Sequence, residues 1–564
     1  MTKKITGGEA VVRMLEAHDV EHLFGLCGDT SLPFYDAMAR NNRGIRHVLC
    51  RDERSAGYMA DAYARVTGKV GVCEGPSGGG ATYILPGLVE AGESSIPVLG
   101  ITTDVAVNSR NRFTLTELDQ KSLFRPLTKW NDVINRSVDV PRTFRKAFVE
   151  MTTGNPGSAH IGLPYDVQTG EVEESDVWAD PSLGHYPSRR VAADPESIDA
   201  AARVLCRAER PVVVCGGGVV ISGAEAELVG LAELLGMPIA TTISGQGAVS
   251  DNHPLAVGVV GSNGGTPQTR SIVGSADVVL FIGCRAGSVT TERWRFPNAS
   301  AKIVHLDVDP TVIGANYRTE AALVGDARLS LAQLRTAVAG LPRAVSDFKS
   351  VEEEIRSAKS SKAQDFQQLA MSEDLPIKPE RFVSELSEVL PRDSVVVADP
   401  GTPCPYLSAF LPVTSTGRNF ITNRAHGALG YSLSAVVGAH LGRPQAKSVA
   451  VMGDGSFGFT IGEMETVVRL NLPITFIVIS NSVYGWIKAG QKSGFDERYF
   501  SVDFSTTDHA KIAEAYGVRA WTVTDPAQMK KALGEAMAHD GPSLVDIVSQ
   551  PLHEANAPVS EWVA

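Results

Sequence analysis

Long apolar runs are missing from this sequence. Nowhere do its 564 residues string together the ~20 consecutive apolar side chains that a bilayer-spanning helix needs. Basic excess is missing too: 52 Lys and Arg stand against 64 Asp and Glu, a net charge of −12 at pH 7. A large nucleic-acid or anionic-membrane interface would need the opposite sign, because phosphate charge has to be offset. Cysteine is sparse. Cys27, Cys50, Cys73, Cys206, Cys215, Cys284 and Cys404 are scattered, with no C-x-x-C or C-x-H spacing for zinc. Most stand in apolar, strand-like runs, such as Cys215 after Val212-Val213-Val214, which predicts buried, reduced thiols. Low-complexity tracts and short-period repeats are also lacking, and Met1–Ile5 carries no apolar signal core. A soluble, cytoplasmic protein is expected, with a small-molecule substrate and neither nucleic acid nor membrane as partner.

What is present is an ordinary globular composition, 43% hydrophobic and 21% charged, with core enough for three or four domains at roughly 150 residues each. Short apolar runs end repeatedly in glycine or aspartate and give way to helical periods. Examples are His22–Gly25, Val212–Cys215 before Gly216-Gly217-Gly218, Val278–Ile282 before Gly283, Val395–Ala398 before Asp399, Ser448–Met452 before Gly453, and Thr475–Ile479 before Ser480. Such alternation predicts parallel sheets covered by helices on both faces. Two linker-like stretches, around 175–195 and 341–376, cut the chain into three doubly wound α/β domains, expected at 1–180, 190–345 and 375–564.

Gly453-Asp454-Gly455-Ser456 closes one apolar run, and Asn481 follows the next, 27 residues further on. A diphosphate–Mg²⁺ complex needs backbone N–H donors and hard oxygen ligands. Asp454 offers a carboxylate, and the glycines let the backbone come close. One crossover later Asn481 returns at the edge of the neighbouring strand, where such sheets bind ligands. Alone, the first motif also fits a strand–turn–helix with an aspartate cap. A second segment, Arg51-Asp52-Glu53-Arg54 running to Gly68, follows the apolar His47-Val48-Leu49 and opens an Ala-rich helix stopped by glycine. Glu53 in its first turn also fits a plain dipole-stabilising residue.

Together these segments resemble the thiamine-diphosphate enzymes, whose signature is Gly-Asp-Gly followed, one crossover later, by an asparagine pair. The resemblance implies that Asp454, Asn481 and the main-chain carbonyl of Val483 hold Mg²⁺. Gly453, Gly455, Ser456, Tyr484 and Gly485 would then line the diphosphate. The first asparagine of the pair is Ser480 here. The 51–68 segment is similar to the family's activating stretch, with Asp52 in place of a histidine. Its glutamate, Glu53, would share a proton with the pyrimidine N1′, so that the ring's amino group can take the thiazolium C2 proton. A carboxyl in that dry setting should have a raised pKa.

The resemblance extends along the whole chain and points to the group of acetolactate synthase, oxalyl-CoA decarboxylase and 2-hydroxyacyl-CoA lyase. It implies that Asn423–Tyr431 grips the aminopyrimidine, with Gly427 beside the ring and Leu429 beneath the bent cofactor. Gly28 and the Gly401-Thr402 loop become further contacts. The Gly-rich middle unit (Gly216–Gly218, Gly261–Thr266, Gly283–Gly287, His305–Pro310) resembles a domain that binds FAD in some members and ADP in others. An empty α/β domain fits these residues equally. At substrate-contacting positions where acetolactate synthases carry Phe-Gln-Glu, Pro-Lys-Asp and a specificity tryptophan, this chain has Leu115-Thr116-Glu117, Pro164-Tyr165-Asp166 and Gly490.

A thiamine-diphosphate- and Mg²⁺-dependent C–C lyase or carboligase acting on a 2-oxo acid is therefore expected. It would be a homodimer or homotetramer whose sites span two chains. A CoA-thioester lyase or decarboxylase is the alternative. A regulatory protein of the same fold would not need Glu53 and Asp454, and a nicotinamide dehydrogenase would need a strand-linked G-x-G-x-x-G. The segment Lys488–Tyr499 should border the pocket mouth, and the irregular tail from Pro551 to Trp562 is either a lid or frayed.

Overall fold

The computed structural model describes residues 3–41, 44–342, 348–555 and 557–562. Asn556, residues 343–347 of the second expected linker, and the expected domain limits at 1, 345 and 564 lie outside them. In the first domain β1 (Lys4–Thr6) pairs antiparallel with β8 (Glu171–Glu173). Between them lie β2 (His22–Gly25), β3 (Arg46–Leu49), β4 (Gly71–Gly75), β5 (Val98–Asp104), β6 (Trp130–Val133) and β7 (Ala159–Pro164). These form a six-stranded parallel sheet of order β3-β2-β4-β5-β7-β6.

The middle sheet contains β9 (Pro211–Cys215), β10 (Ile239–Thr241), β11 (Ala256–Val259), β12 (Val278–Ile282), β13 (Lys302–Asp307) and β14 (Thr319–Val324). Its order is β11-β10-β9-β12-β13-β14, the doubly wound pattern of dinucleotide-binding folds. The third sheet contains β15 (Ser394–Ala398), β16 (Phe420–Thr422), β17 (Lys447–Gly453), β18 (Thr475–Ser480), β19 (Arg519–Val523) and β20 (Ser543–Val548). Its order, β16-β15-β17-β18-β20-β19, repeats that of the first sheet strand for strand. The expected three parallel-sheet α/β domains are therefore present. Central strands such as β9 and β12 are buried along their whole length, which is why they read as unbroken apolar runs. Six of the seven cysteines are buried and Cys27 is exposed; all are free thiols.

The chain divides into two compact units. Unit 1 takes Met1–Arg189, Asn423–Gln445 and Thr460–Leu472; unit 2 takes Arg190–Thr422, Ala446–Phe459 and Pro473–Ala564. Within unit 1 the helix Glu53–Thr67 packs along the helix Tyr431–Gly442. A methyl on Gly438 would overlap the Met59 carbonyl oxygen, so the two backbones touch only because residue 438 lacks a side chain. On its other side Gly57 faces Gly87, where an added Cβ would come within 2.9 Å of the opposite Cα. The buried Arg65 guanidinium bonds Asp61 at 2.9 Å and Glu90 at 3.2 Å, and Tyr431 Oη donates to Asp61 at 2.5 Å. Glu90 also accepts from the His426 N–H at 2.7 Å. An arginine held among two carboxylates is more costly to break than it was to form, because removing one partner strands a buried charge.

In unit 2 the second expected linker is largely the helix Phe348–Ala370. The tail is irregular but docked: Gly264 N–H donates to Pro558 O, Ser560 N–H to Ser262 O, and Arg295 pairs with Glu561 at 2.6 Å. Gly438→Ala should therefore destabilise unit 1 by about 1–3 kcal/mol, as forced overpacking does. Urea unfolding followed by fluorescence checks this, and an unchanged midpoint refutes the close-approach account.

Candidate active site

Both repeated sheets reverse their strand order between the first and third strands, and ligands of open parallel sheets bind at the carboxyl ends flanking such a switch point. In the third domain the switch lies between β15 and β17. The Asp399–Thr402 turn leaves β15, and Gly453–Ser456 leaves β17. Gly401 sits at φ +93° with open space where a Cβ would be, and Gly453 has the same open space. Thr402 and Ser456 are buried beside them.

Asp454 opens the next helix and is itself buried. One carboxylate oxygen accepts the Gly455 N–H at 2.9 Å; the other accepts the N–H groups of Asn481 (2.8 Å) and Ser482 (2.6 Å). The carboxylate thus fastens the β17 turn to the β18 turn. Burial pushes its pKa up, against these three donors, which pull it down. A buried anion in that balance is relieved by a cation.

The donors suit magnesium. Among the described residues no cluster of three His, Cys, Asp or Glu could hold a metal. Asp454, Asn481 and Val483 would instead offer one carboxylate, one side-chain amide and one peptide carbonyl, all hard oxygens. Val483 forms an antiparallel bridge with Asp503 in which Tyr484 N–H and Phe504 N–H make the bonds, so its own carbonyl takes no part. Magnesium is typically held by so few protein oxygens plus phosphate. Tyr484 lies over Gly455, whose Cβ would come within 2.7 Å of the ring, and Gly485 starts the following helix.

In the first domain the switch lies between β2 and β4. Gly28 leaves β2 as the cap of a short 3₁₀ turn. The Gly75–Gly80 loop leaves β4, and Glu53 follows the adjacent β3. Asp52 caps the helix by accepting Arg54 N–H at 2.8 Å, and Gly68 at φ +70° ends it. Glu53 is buried against two glycines. Its Oε1 would lie 3.0 Å from a Cβ on Gly80, and its Cγ 3.3 Å from one on Gly75. Burial raises its pKa, the property wanted of an acid–base carboxyl. Gly427, at φ +72°, has open space around it, and Leu429 is half-buried just before the helix Tyr431–Gly442.

Glu463, Glu74 and the partners of Ser480 escaped sequence reasoning. Glu463 accepts Arg51 N–H at 2.7 Å and so holds the approach to the Glu53 helix. Glu74 ends β4 fully buried; a glutamate inside the apolar run of β4 was the available signal. Ser480, where an asparagine was expected, lies 2.9 Å from His509 Nδ1 and donates to Asp546. The exposed residues Phe495–Tyr499, with Arg498 paired to Asp496, follow the helix Gly485–Gly494.

Comparison with known proteins places this geometry. Residues 5–123 match the N-terminal TPP binding domain of thiamine pyrophosphate enzymes, 198–334 their central domain, and 399–547 their C-terminal TPP binding domain. The chain belongs to the thiamine pyrophosphate enzyme family. It is 36% identical over 556 residues to a probable acetolactate synthase large subunit of Methanocaldococcus jannaschii, covering 97% of this chain and 92% of the relative. An acetolactate synthase of Arthrospira platensis is 31% identical over 563 residues, with 97% and 94% covered. The protein is thus a thiamine-diphosphate-dependent enzyme of the acetolactate synthase group.

Asp454→Ala should weaken thiamine diphosphate retention by more than about 100-fold, beyond what losing an outer partner of a metal costs. Cofactor bound per subunit after desalting measures it; near-stoichiometric retention sinks the assignment. Glu53→Gln should retain cofactor yet slow exchange of its C2 proton by about 10²–10⁴-fold, read by quenched NMR. Unchanged exchange would assign activation to another residue.

Proposed function

We propose that the protein is a thiamine-diphosphate- and Mg²⁺-dependent carboligase that condenses a 2-oxo acid with a second carbonyl compound, a reading supported by its likeness to proteins named acetolactate synthase. The observation that carries this reading is the Asp454 carboxylate clamped to the Asn481 turn, in a chain that aligns with acetolactate synthases over 97% of its length. When bound, the cofactor supplies the carbon nucleophile and holds the electron pair left when a C–C bond breaks. Asp454, Asn481 and Val483 would hold the metal, and Gly453, Gly455, Ser456, Gly401, Thr402, Tyr484 and Gly485 would line the diphosphate. Glu53 would hold and return a proton at the pyrimidine nitrogen, with Gly28, Gly427 and Leu429 bordering that ring.

Each site is read as shared between two chains of a homodimer or homotetramer, Glu53 coming from one and Asp454 from its partner. The exposed apolar side chains Leu49, Tyr83, Phe113, Leu115, Ile487 and Phe500 support buried surface in such an assembly. The CoA-thioester alternative keeps one supporting observation: Gly490 stands where acetolactate synthases carry a specificity tryptophan. FAD in the middle domain belongs to the first reading and ADP to the second. Gly216, Gly218 and Gly283 there pack backbone to backbone, which any occupant must accommodate.

Incubation with pyruvate, thiamine diphosphate and Mg²⁺ should yield acetolactate at about 1–10 turnovers per second, the range of ordinary enzymes. No product from pyruvate, with turnover of an acyl-CoA, selects the alternative, and the visible spectrum reports flavin. Mixed Glu53→Gln and Asp454→Ala subunits should regain activity in about a quarter of all sites, those that combine two intact halves across a twofold interface. No recovery despite proven subunit exchange refutes the shared site.

A further inference from the structure

Unit 1 holds a buried carboxyl that none of the chemistry above uses, and an unbroken file of hydroxyl groups joins it to the surface. Glu74 is fully buried, with Oε1 accepting Ser31 Oγ–H and Oε2 accepting Tyr35 Oη–H, both at 2.7 Å. From Ser31 Oγ the next hydroxyl, Thr103 Oγ1, is 3.2 Å away, and Thr30 Oγ1 lies 2.8 Å beyond it. Thr30 donates to Ser77 Oγ at 3.1 Å, and Ser77 Oγ lies 2.7 Å from Thr116 Oγ1. Ser31, Thr103 and Ser77 are buried, whereas Thr116 is exposed.

The file is assembled from four places in the fold: the turn after Gly28, β5, the loop after β4, and the loop that carries Leu115. It is held in register by Gly78, at φ +68°, where a Cβ would come within 2.8 Å of the Thr116 Cβ. Burial pushes the Glu74 carboxyl up to about 8, against its two hydroxyl donors and with the charge of Glu53 adding to the rise. His47, 3.0 Å from Tyr35 Oη, is pushed down to about 4 by burial and stays neutral.

A hydroxyl both donates and accepts, so a file of five can pass a proton end to end. Its polarity is fixed at the outer end, where Thr116 Oγ–H donates to the Leu115 carbonyl at 2.5 Å. While Glu74 is ionised, Ser31 Oγ–H points inward to it. Once Glu74 is protonated it donates to Ser31, whose own O–H turns to Thr103, with Thr103 donating to Thr30, Thr30 to Ser77 and Ser77 to Thr116. In that protonated state every O–H bond points outward.

We propose that Glu74, Ser31, Thr103, Thr30, Ser77 and Thr116 form a proton relay between a buried carboxylic acid and a substrate atom lodged against Thr116. The relay rests on the reading that Leu115-Thr116-Glu117 contacts substrate. In the delivering direction the Thr116 O–H bond breaks as the acceptor gains its proton. Each inner hydroxyl re-protonates the oxygen outside it, and Glu74 re-protonates Ser31. One proton leaves Glu74 and one arrives on the acceptor. The carboxylate left behind is met by the Ser31 and Tyr35 hydroxyls, and water at Thr116 restores the proton by the reverse path.

The test needs neither substrate nor cofactor in its first arm. Infrared spectra of the full-length protein at pH 7 should show a protonated carboxyl band that Glu74→Gln removes. On mixing into D₂O, its exchange should slow on the order of tenfold or more in Ser77→Ala and Thr103→Val, as expected when a positioned proton donor is removed. Ser77→Thr, which keeps the hydroxyl, should restore it. In the second arm, pyruvate turnover should fall by about 10²-fold in Glu74→Gln, with Ser77→Thr near wild type and Ser77→Ala near Glu74→Gln. A band that survives Glu74→Gln, or exchange equally fast in Ser77→Ala and Thr103→Val, overturns the relay. So does unaltered pyruvate turnover in Glu74→Gln. Exchange that behaves as expected in a protein that leaves pyruvate untouched supports the relay and sinks the acetolactate reading instead.

Discussion

A parallel strand can be followed by another only after the chain has crossed over, and that constraint arranges everything of chemical interest here. All turns that leave strands of one sheet in the same direction emerge on one edge. Asp454 and Asn481 are far apart along the chain yet emerge from neighbouring strands, and a single carboxylate ties their turns together through three N–H groups. In the first domain Gly28, Glu53 and the Gly75–Gly80 loop emerge together for the same reason. The apolar runs provide the sheet, and the sheet brings the polar residues together.

The polar cargo has to be carried without loosening the core. Around the Glu53 helix this is done by satisfying buried charge locally. Arg65 is shared by Asp61 and Glu90, and Glu90 in turn holds the backbone of the Asn423–Tyr431 segment. Glycine does the complementary task where helices must touch, at Gly57, Gly87 and Gly438. The result is a packed frame around the Glu53 carboxyl, whose pKa burial raises.

How much of this was legible depended on the range of the interaction. The three sheets could be read because each strand announces itself locally, as Val278–Ile282 does before Gly283. The caps of the Glu53 helix could be read for the same reason: Asp52 and Gly68 act within a few residues of themselves. The grouping of Asn423–Gln445 and Thr460–Leu472 with the first domain could not, since it rests on contacts such as Glu463 with Arg51, more than 400 residues away in sequence. Nor could the Glu74 file, whose six members come from four segments and meet only once β2, β4 and β5 are paired. Ser480 was visible as a departure. What it meets, His509 and Asp546, was not. The tail looked irregular, and irregular it is, but Trp562 packs 5.1 Å from Trp486, so lack of regular structure did not mean lack of attachment.

The shared strand order of the first and third sheets gives every turn on one sheet a counterpart on the other. The turn after the second strand carries Glu53 in the first domain and Asn423–Leu429 in the third. The turn after the third strand carries Gly75–Gly80 in one and Gly453–Ser456 in the other. Glu53 and Asp454 thus occupy different turns of one template. Two copies of a scaffold can specialise in this way without interfering, since a change in one turn leaves its counterpart free. Residue swaps between counterpart turns, rather than between neighbours in sequence, are the natural moves in the evolution and redesign of such a molecule.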